Sequence, residues 1–315
     1  MFVSNGPLIP PPPLSAAAAE GRGETALPEG RGGRLRTLFF GMRCAFSVPV
    51  LTALVDGGIG VGAVVLPATG AGEDVHPIDH VAREADIPVV SVTGLRDVEA
   101  VNRLALFAPD VLVVACFPWR LPAAVRSLAP LGGINVHPSL LPALRGPEPV
   151  FWALRRGDRR TGVTLHLLDA GFDTGPILVQ EAVNIPAGVR APDLEARLAV
   201  LGAGLLVPAL HDLVAGRVTP RDQDHSRATL APIPTGADWV VPTNLPAGWA
   251  YEFVRGVAPL GGPLSVLVLA TGERLALADA VAVEPFGQMD VALKRDGNHV
   301  TVRFRPGTAV FTLKT

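Results

Sequence analysis

The chain has 315 residues, a formal net charge of −2, 49 % hydrophobic residues and only 18 % charged ones. Such a length can bury a sizeable core, and such a composition excludes a wholly disordered or fibrous protein. The near-neutral balance gives no global attraction to nucleic acid or an anionic membrane, so any polyanion site must be a local patch. Cys44 and Cys116 lie in apolar segments without the paired spacing of metal sites. They read as buried structural thiols in a reducing compartment, so a cytoplasmic location is expected.

Residues 1–33 include four successive prolines at 10–13 and no basic residue before Arg22. They make a poor signal peptide, cannot support a core, and read as a disordered extension. From Leu35 onward, short apolar runs alternate with helical patterns. Strands are predicted at 35–40, 62–67, 87–92, 111–116 and 133–138, with helices over 47–58, 78–85, 96–107 and 121–128. Ser47 reads as the cap of the first helix, with Pro49 in its first turn. Unbroken Val/Ile/Leu strands separated by helices predict an α/β fold with a Rossmann-like open, mostly parallel sheet. In such a sheet ligands bind beyond the carboxyl ends of the strands.

A short helix near 148–156 precedes the alternating TGVTLHLL (161–168), the Gly-punctuated loop DAGFDTG (169–175) and a returning strand, ILVQEAVNI (177–185). A long helix follows from Ala191, with Gly216 after its end and a kink expected at Pro208. No apolar run reaches the length of a membrane span, and no membrane association is expected. Residues 217–237 have the composition of a linker, and from Asp238 short alternating runs predict a small β domain. The expected organisation is therefore an extension at 1–33, a catalytic domain at 34–216, a linker at 217–237 and a C-terminal β domain at 238–315.

The chemistry gathers in GGINVHPSLLPALRG (132–146). Residues two apart on a strand share a face, so Asn135 and His137 point together at the strand's exit, where the crevice should be. Asn offers a neutral donor for a developing oxyanion, and His a proton that is easily exchanged near neutral pH. Asp173, in the loop after the alternating strand, is placed to orient His137 and stabilise its imidazolium. Ser139 has no nucleophile-elbow context. An Asn-His-Asp constellation without a strong nucleophile implies addition to a carbonyl by an outside nucleophile. A satisfied structural pair is the bland alternative. One His and one Asp do not make a metal ligand set, so no metal is expected. His76, His80, His166, His211, His225 and His299 have no partner pattern and read as surface or packing residues.

INVHPSLLPALRGPEP followed by TGVTLHLLDAGFDTGPIL resembles the folate-dependent formyltransferases, and among them the methionyl-tRNA formyltransferases. The likeness runs from about Leu35 to Ile185. It also takes in VLVVACFPWRLPAAV, where the family has an apolar strand ending in x-L-P, and continues weakly into the β domain. The resemblance implies that 10-formyltetrahydrofolate donates a formyl group to a primary amine. Asn135 would then hydrogen-bond the formyl oxygen, His137 would stabilise or protonate the tetrahedral intermediate, and Asp173 would set the charge of His137 and help remove the amine's proton. The pterin would lie against Phe117, Trp119 and Leu121, the turn Ser139, Leu140, Leu141 and Pro142, and the loop Asp169, Ala170, Gly171 and Phe172.

The tRNA-modifying members carry a basic insertion after the second strand that grips the acceptor stem. Here LPATGAGEDVHP (66–77) is short, holds two acids and lacks Lys and Arg. Residues 238–315 hold seven Lys/Arg against seven Asp/Glu, whereas a polyanion binder needs convergent cations. Arg36, Arg43, Arg145, Arg155, Arg156, Arg159 and Arg160 are candidates for a patch near the cleft, or for a solvated face. The acceptor stays open between initiator methionyl-tRNA and an amino sugar nucleotide or other small amine. A hydrolase releasing formate and a non-catalytic folate binder are the remaining alternatives, and the oligomeric state is open.

Overall fold

The computed structural model describes residues 35–68 and 76–314. The extension expected at 1–33 and the centre of the short segment at 66–77 lie outside the described residues. The first sheet contains β1 (Arg36–Gly41), β2 (Gly60–Pro67), β3 (Val89–Val92), β4 (Val111–Ala115), β5 (Gly133–His137), β6 (Arg160–Leu167) and β7 (Ile177–Asn184). Their spatial order is β3-β2-β1-β4-β5-β6-β7. The first five strands are parallel, while β6 runs antiparallel to both β5 and β7.

The parallel strands are apolar on both sides because helices cover both faces. One face, with Phe39, Val64, Val113, Ile134, Val136, Val163 and Leu165, packs on α1 (Ser47–Asp56), α2 (Pro77–Glu84) and α6 (Ala191–Val214). The other, with Leu38, Phe40, Val65, Leu112 and Val114, packs on α3 (Val98–Ala105) and α4 (Ala123–Arg126). Alternation along β5 and β6 puts Asn135, His137, Thr164 and His166 on this second face. The apolar second face thus ends at β4, and polar side chains take over where α3 and α4 no longer cover the sheet.

Ser47 opens α1 rather than capping it. Its hydroxyl accepts from Met42 N at 3.0 Å and donates to Ala115 O at 2.8 Å, tying the loop after β1 to β4. Cys116, the residue after β4, is exposed and Cys44 only half-buried, against the buried thiols expected. The Cys44 thiol lies 3.4 Å from Ser47 Oγ, and its neighbours Cys116 and Ser47 draw its pKa down against its burial. The 24-residue α6 runs through Pro208 without interruption. At a mean hydropathy of 1.5 it is long and apolar enough to cross a membrane, which the sequence reading did not anticipate. Leu194, Leu198, Leu206 and Leu210 are buried against the sheet, so α6 is used as a core helix.

The second sheet contains β8 (Val240–Pro242), β9 (Ser265–Val268), β10 (Glu273–Glu284), β11 (Leu293–Asp296), β12 (His299–Arg303) and β13 (Thr308–Leu313), in the order β11-β12-β13-β10-β9-β8. A helix, α7 (Ala247–Val257), packs on β10 and β13 and also on α5 (Pro149–Arg156). Phe151 of α5 has its ring centroid 4.8 Å from Trp239 and 5.6 Å from Phe253, so one apolar core continues from the first sheet into the second.

Candidate active site

Asn135 and His137 leave β5 beside β4, and the antiparallel register sets His166 opposite Asn135 and Thr164 opposite His137. Pro138 ends the strand, and the chain turns back. That turn is held by its own side chains: Ser139 Oγ donates to Ala143 O at 2.7 Å, and Thr164 Oγ1 donates to Ser139 O at 2.6 Å. Ser139 and Leu141 are buried, so their side chains support the turn from within. The turn also brings Leu144 O to 2.9 Å from His137 Nε2. A carbonyl only accepts, so Nε2 carries the ring proton and Nδ1 presents its lone pair.

Nδ1 of His137 lies 3.6 Å from Asp173 Oδ2. Asp173 adopts a left-handed backbone, φ 53°, which Asp tolerates better than most side chains. Its carboxylate accepts from Asn135 Nδ2 at 3.0 Å and from Gly146 N at 2.8 Å. Two glycines make that approach feasible. Gly146 has φ 118° with Ala231 O 2.8 Å from where a Cβ would sit, and a Cβ on Gly175 would overlap Leu167 O. Burial alone would raise Asp173, but His137 and the Gly146 N–H hold its carboxyl well below the usual carboxylate range. Burial lowers His137 below its ordinary value of 6.5, against the opposing pull of Asp173. At neutral pH the pair is an ionised carboxylate beside a neutral imidazole whose free nitrogen faces it.

A cleft opens over Asn135, His166 and Asp173. One wall is Phe117, Trp119, Arg120 and Leu121 after β4; the other is Leu168, Asp169, Gly171 and Phe172 after β6. His137, 4 % exposed, is outside this lining and reaches the cleft through Asp173. Arg120 bridges the two walls: Nη1 donates to Ala170 O at 2.7 Å, and the guanidinium lies 5.9 Å from the centroid of Phe172, itself 56 % exposed. The cleft holds about 60 Å³ and is open to solvent. The exposed face of Phe172 and the edge-packed rings of Phe117 and Trp119, 5.5 Å apart, are surfaces suited to a flat heteroaromatic ring.

Residues 68–210 match the family model described as formyl transferase. The chain is 41 % identical over 233 residues to the methionyl-tRNA formyltransferase of Chloroflexus aurantiacus, covering 72 % of this chain and 75 % of that one. The chain belongs to the formyltransferase family. The corresponding enzyme of Syntrophus aciditrophicus is 35 % identical over 256 residues, 80 % of this chain and 81 % of the relative. Among solved structures, the N-formyltransferase of Helicobacter canadensis, crystallised with folinic acid and dTDP-3-aminofucose, superposes with a TM-score of 0.67 over 88 % of this chain and 99 % of that one. At 15 % identity that likeness concerns the fold. The chemistry of the chain is accordingly formyl transfer from a formyl-tetrahydrofolate donor.

The structure brings Asn135, His137 and Asp173 together and sets Phe117, Trp119, Leu121, Asp169, Gly171 and Phe172 around the cleft. Ser139, Leu140, Leu141, Pro142 and Ala170 are not part of its lining. His166, read from the sequence as a packing residue, is only 2 % exposed and lies on the floor. Its signal was the face it shares with Thr164 on an alternating strand that leads directly into the Asp173 loop. Gln223 was missed altogether. Its Nε2 donates to Asp173 O at 3.0 Å and Gly175 O at 2.7 Å, and its Oε1 accepts from Arg145 Nη2 at 2.6 Å. The candidate arginine patch is dispersed. Arg145 is buried on Gln223, Arg155 lies against the stacked rings of Trp249 and Phe253, 4.9 and 5.0 Å from their centroids, and Arg43 pairs with Asp79.

Proposed function

We propose that the chain transfers the formyl group of 10-formyltetrahydrofolate to the amino group of initiator methionyl-tRNA. The observation that carries this is the convergence of Asn135 and Asp173 on the floor of one cleft, with His137 behind Asp173, in a chain 41 % identical to a methionyl-tRNA formyltransferase. The donor supplies an activated one-carbon carbonyl; the protein's own groups do the rest. The Asn135 amide donates to the formyl oxygen, where negative charge develops. Asp173 accepts the proton that the attacking amine must lose, directly or through water. A carboxylate held so far down is a poor resting place for a proton, so the proton passes on to the free Nδ1 of His137 and returns by the same path to the folate nitrogen as its bond to the formyl carbon breaks, releasing tetrahydrofolate. Phe117, Trp119, Leu121, Gly171 and Phe172 grip the folate ring, while the turn at 139–142 supports the floor from behind.

A second acceptor, an amino sugar nucleotide, is favoured by the absence of Lys and Arg from residues 66–77 and by the dispersal of the arginines. Release of tetrahydrofolate is measured with the donor alone, then with charged initiator tRNA, then with a panel of amino sugar nucleotides. Turnover that needs tRNA and weakens steeply with salt is expected, because neutralised phosphates release counterions. A salt-independent rate, or turnover only with a sugar nucleotide, would sink the tRNA acceptor. Full turnover with donor alone would identify a hydrolase instead.

A further inference from the structure

We propose that His166 is a positioning residue for formyl transfer, its Nε2 holding the Asn135 amide ready for the formyl oxygen. This rests on the role given above to Asn135. A carboxylate oxygen only accepts, so the Asn135 atom 3.0 Å from Asp173 Oδ1 is the amide nitrogen. Its second hydrogen faces His166 Nε2 at 3.1 Å. The other ring nitrogen of His166 lies 2.9 Å from Leu167 O, and that carbonyl too can only accept. The ring proton therefore sits on Nδ1, and Nε2 offers a lone pair to the amide.

Asn135 thus has both amide hydrogens anchored, but unequally. The bond to Asp173 is charge-assisted and the stronger; the bond to the neutral ring nitrogen is the weaker. Asn135 and His166 line the same cleft, so an arriving formyl oxygen takes the place of His166 as acceptor while the Asp173 bond persists. Without an acceptor at Nε2 the second hydrogen is unanchored, and the broad terminal torsion of Asn lets the amide swing about its Asp173 bond, out of line with the formyl oxygen. Holding the donor in place before the charge develops removes that reorganisation from the barrier. His166 is suited to this because its ring is almost wholly buried, fixed at Nδ1, and set opposite Asn135 by the β5–β6 register.

His166→Phe keeps a ring and loses the acceptor, and His166→Gln restores an acceptor oxygen. Steady-state kcat and donor KM are measured for both, together with His166→Phe in an Asn135→Ala background. His166→Phe is expected to lower kcat roughly tenfold to a hundredfold with donor KM within about twofold, a loss below that of deleting an oxyanion donor outright. His166→Gln should recover most of it, and the double variant should lose nothing beyond Asn135→Ala. Wild-type kcat in His166→Phe, equal losses in the Phe and Gln variants, or the full loss persisting without Asn135 would overturn the assignment. Should His166→Phe not fold, His166→Asn, polar but too short to reach, replaces it with the same outcomes. If Asn135→Ala itself keeps wild-type kcat, the role of Asn135 fails and the positioning role of His166 falls with it, an outcome distinct from a silent His166→Phe beside an impaired Asn135→Ala.

Discussion

Gln223 holds Asp173 in place without touching its carboxylate. Its amide nitrogen bridges the carbonyls of Asp173 and Gly175, while its amide oxygen accepts from the buried Arg145. Gln223→Ala should therefore leave two loop carbonyls and a buried guanidinium short of partners, costing about 1–3 kcal/mol. Turnover should fall beyond the loss of folded protein, since Asp173 loses its backbone anchor. Urea unfolding and kcat on the same preparation check this; an unchanged kcat would show that the loop holds itself.

Asp173→Asn keeps the shape of the side chain and removes the charge. One of its polar atoms must then face the Asn135 amide and another the Gly146 N–H, and no proton acceptor remains. A loss of kcat of about 10²–10⁴, with folate affinity nearly unchanged, is expected for removal of a proton-transfer group. Stopped-flow binding and single-turnover rates separate the two effects. A variant that turns over at the wild-type rate removes Asp173 from the reaction.

The pH dependence follows from His137. Burial places its folded-state pKa below 6.5, so the neutral imidazole needed to receive a proton persists to lower pH than in a free histidine. The acid limb of kcat/KM should have its midpoint under pH 6.5, and a midpoint above 7 would contradict the burial. The unfolded chain takes up this proton first, so stability falls as pH drops below about 6.5. The depressed Asp173 adds a second loss as pH falls below its ordinary 3.8. His137→Gln should abolish the first limb of the stability curve and leave the second.

Gly146 is the point where the turn after β5 passes closest to the segment beyond α6. Gly146→Ala forces a side chain onto a backbone at φ 118° and within 2.8 Å of Ala231 O. A destabilisation of about 1–3 kcal/mol is expected from the backbone conformation alone. The N–H that Gly146 gives Asp173 should also shift, so kcat falls at temperatures where the variant is still folded. Thermal melting and activity assays over the same range test both halves.

Most of the first sheet was legible because the strands of a doubly covered sheet are apolar runs that end in turns. Asn135 and His137 were legible because period-two alternation puts them on one face, and Asp173 because glycines flank it. His166 was not, because its role depends on the antiparallel register with β5, which periodicity does not fix. Ser47 looked like a cap because Ser precedes an apolar helix, yet its hydroxyl bridges to β4. Gln223 lies among Asp, Arg and Pro residues, a composition that reads as a spacer. The bridges Ile177–Arg221 and Arg145–Leu230, with the hydrogen bonds of Gln223, place this stretch along the site.

Those bridges govern how the molecule can be cut and rejoined. A junction placed at Gly216, where the long helix ends, would separate Gln223, Thr229 and Ala231 from the loops they brace. A chimera with a relative's C-terminal half would then inherit foreign residues against Asp173 and Gly146. Moving the junction past Pro232, whose carbonyl accepts from Trp152 Nε1 at 2.7 Å, keeps the brace with its own loops. The unit that can be exchanged without disturbing the brace is therefore the sheet beyond that proline, and not everything that follows the helix.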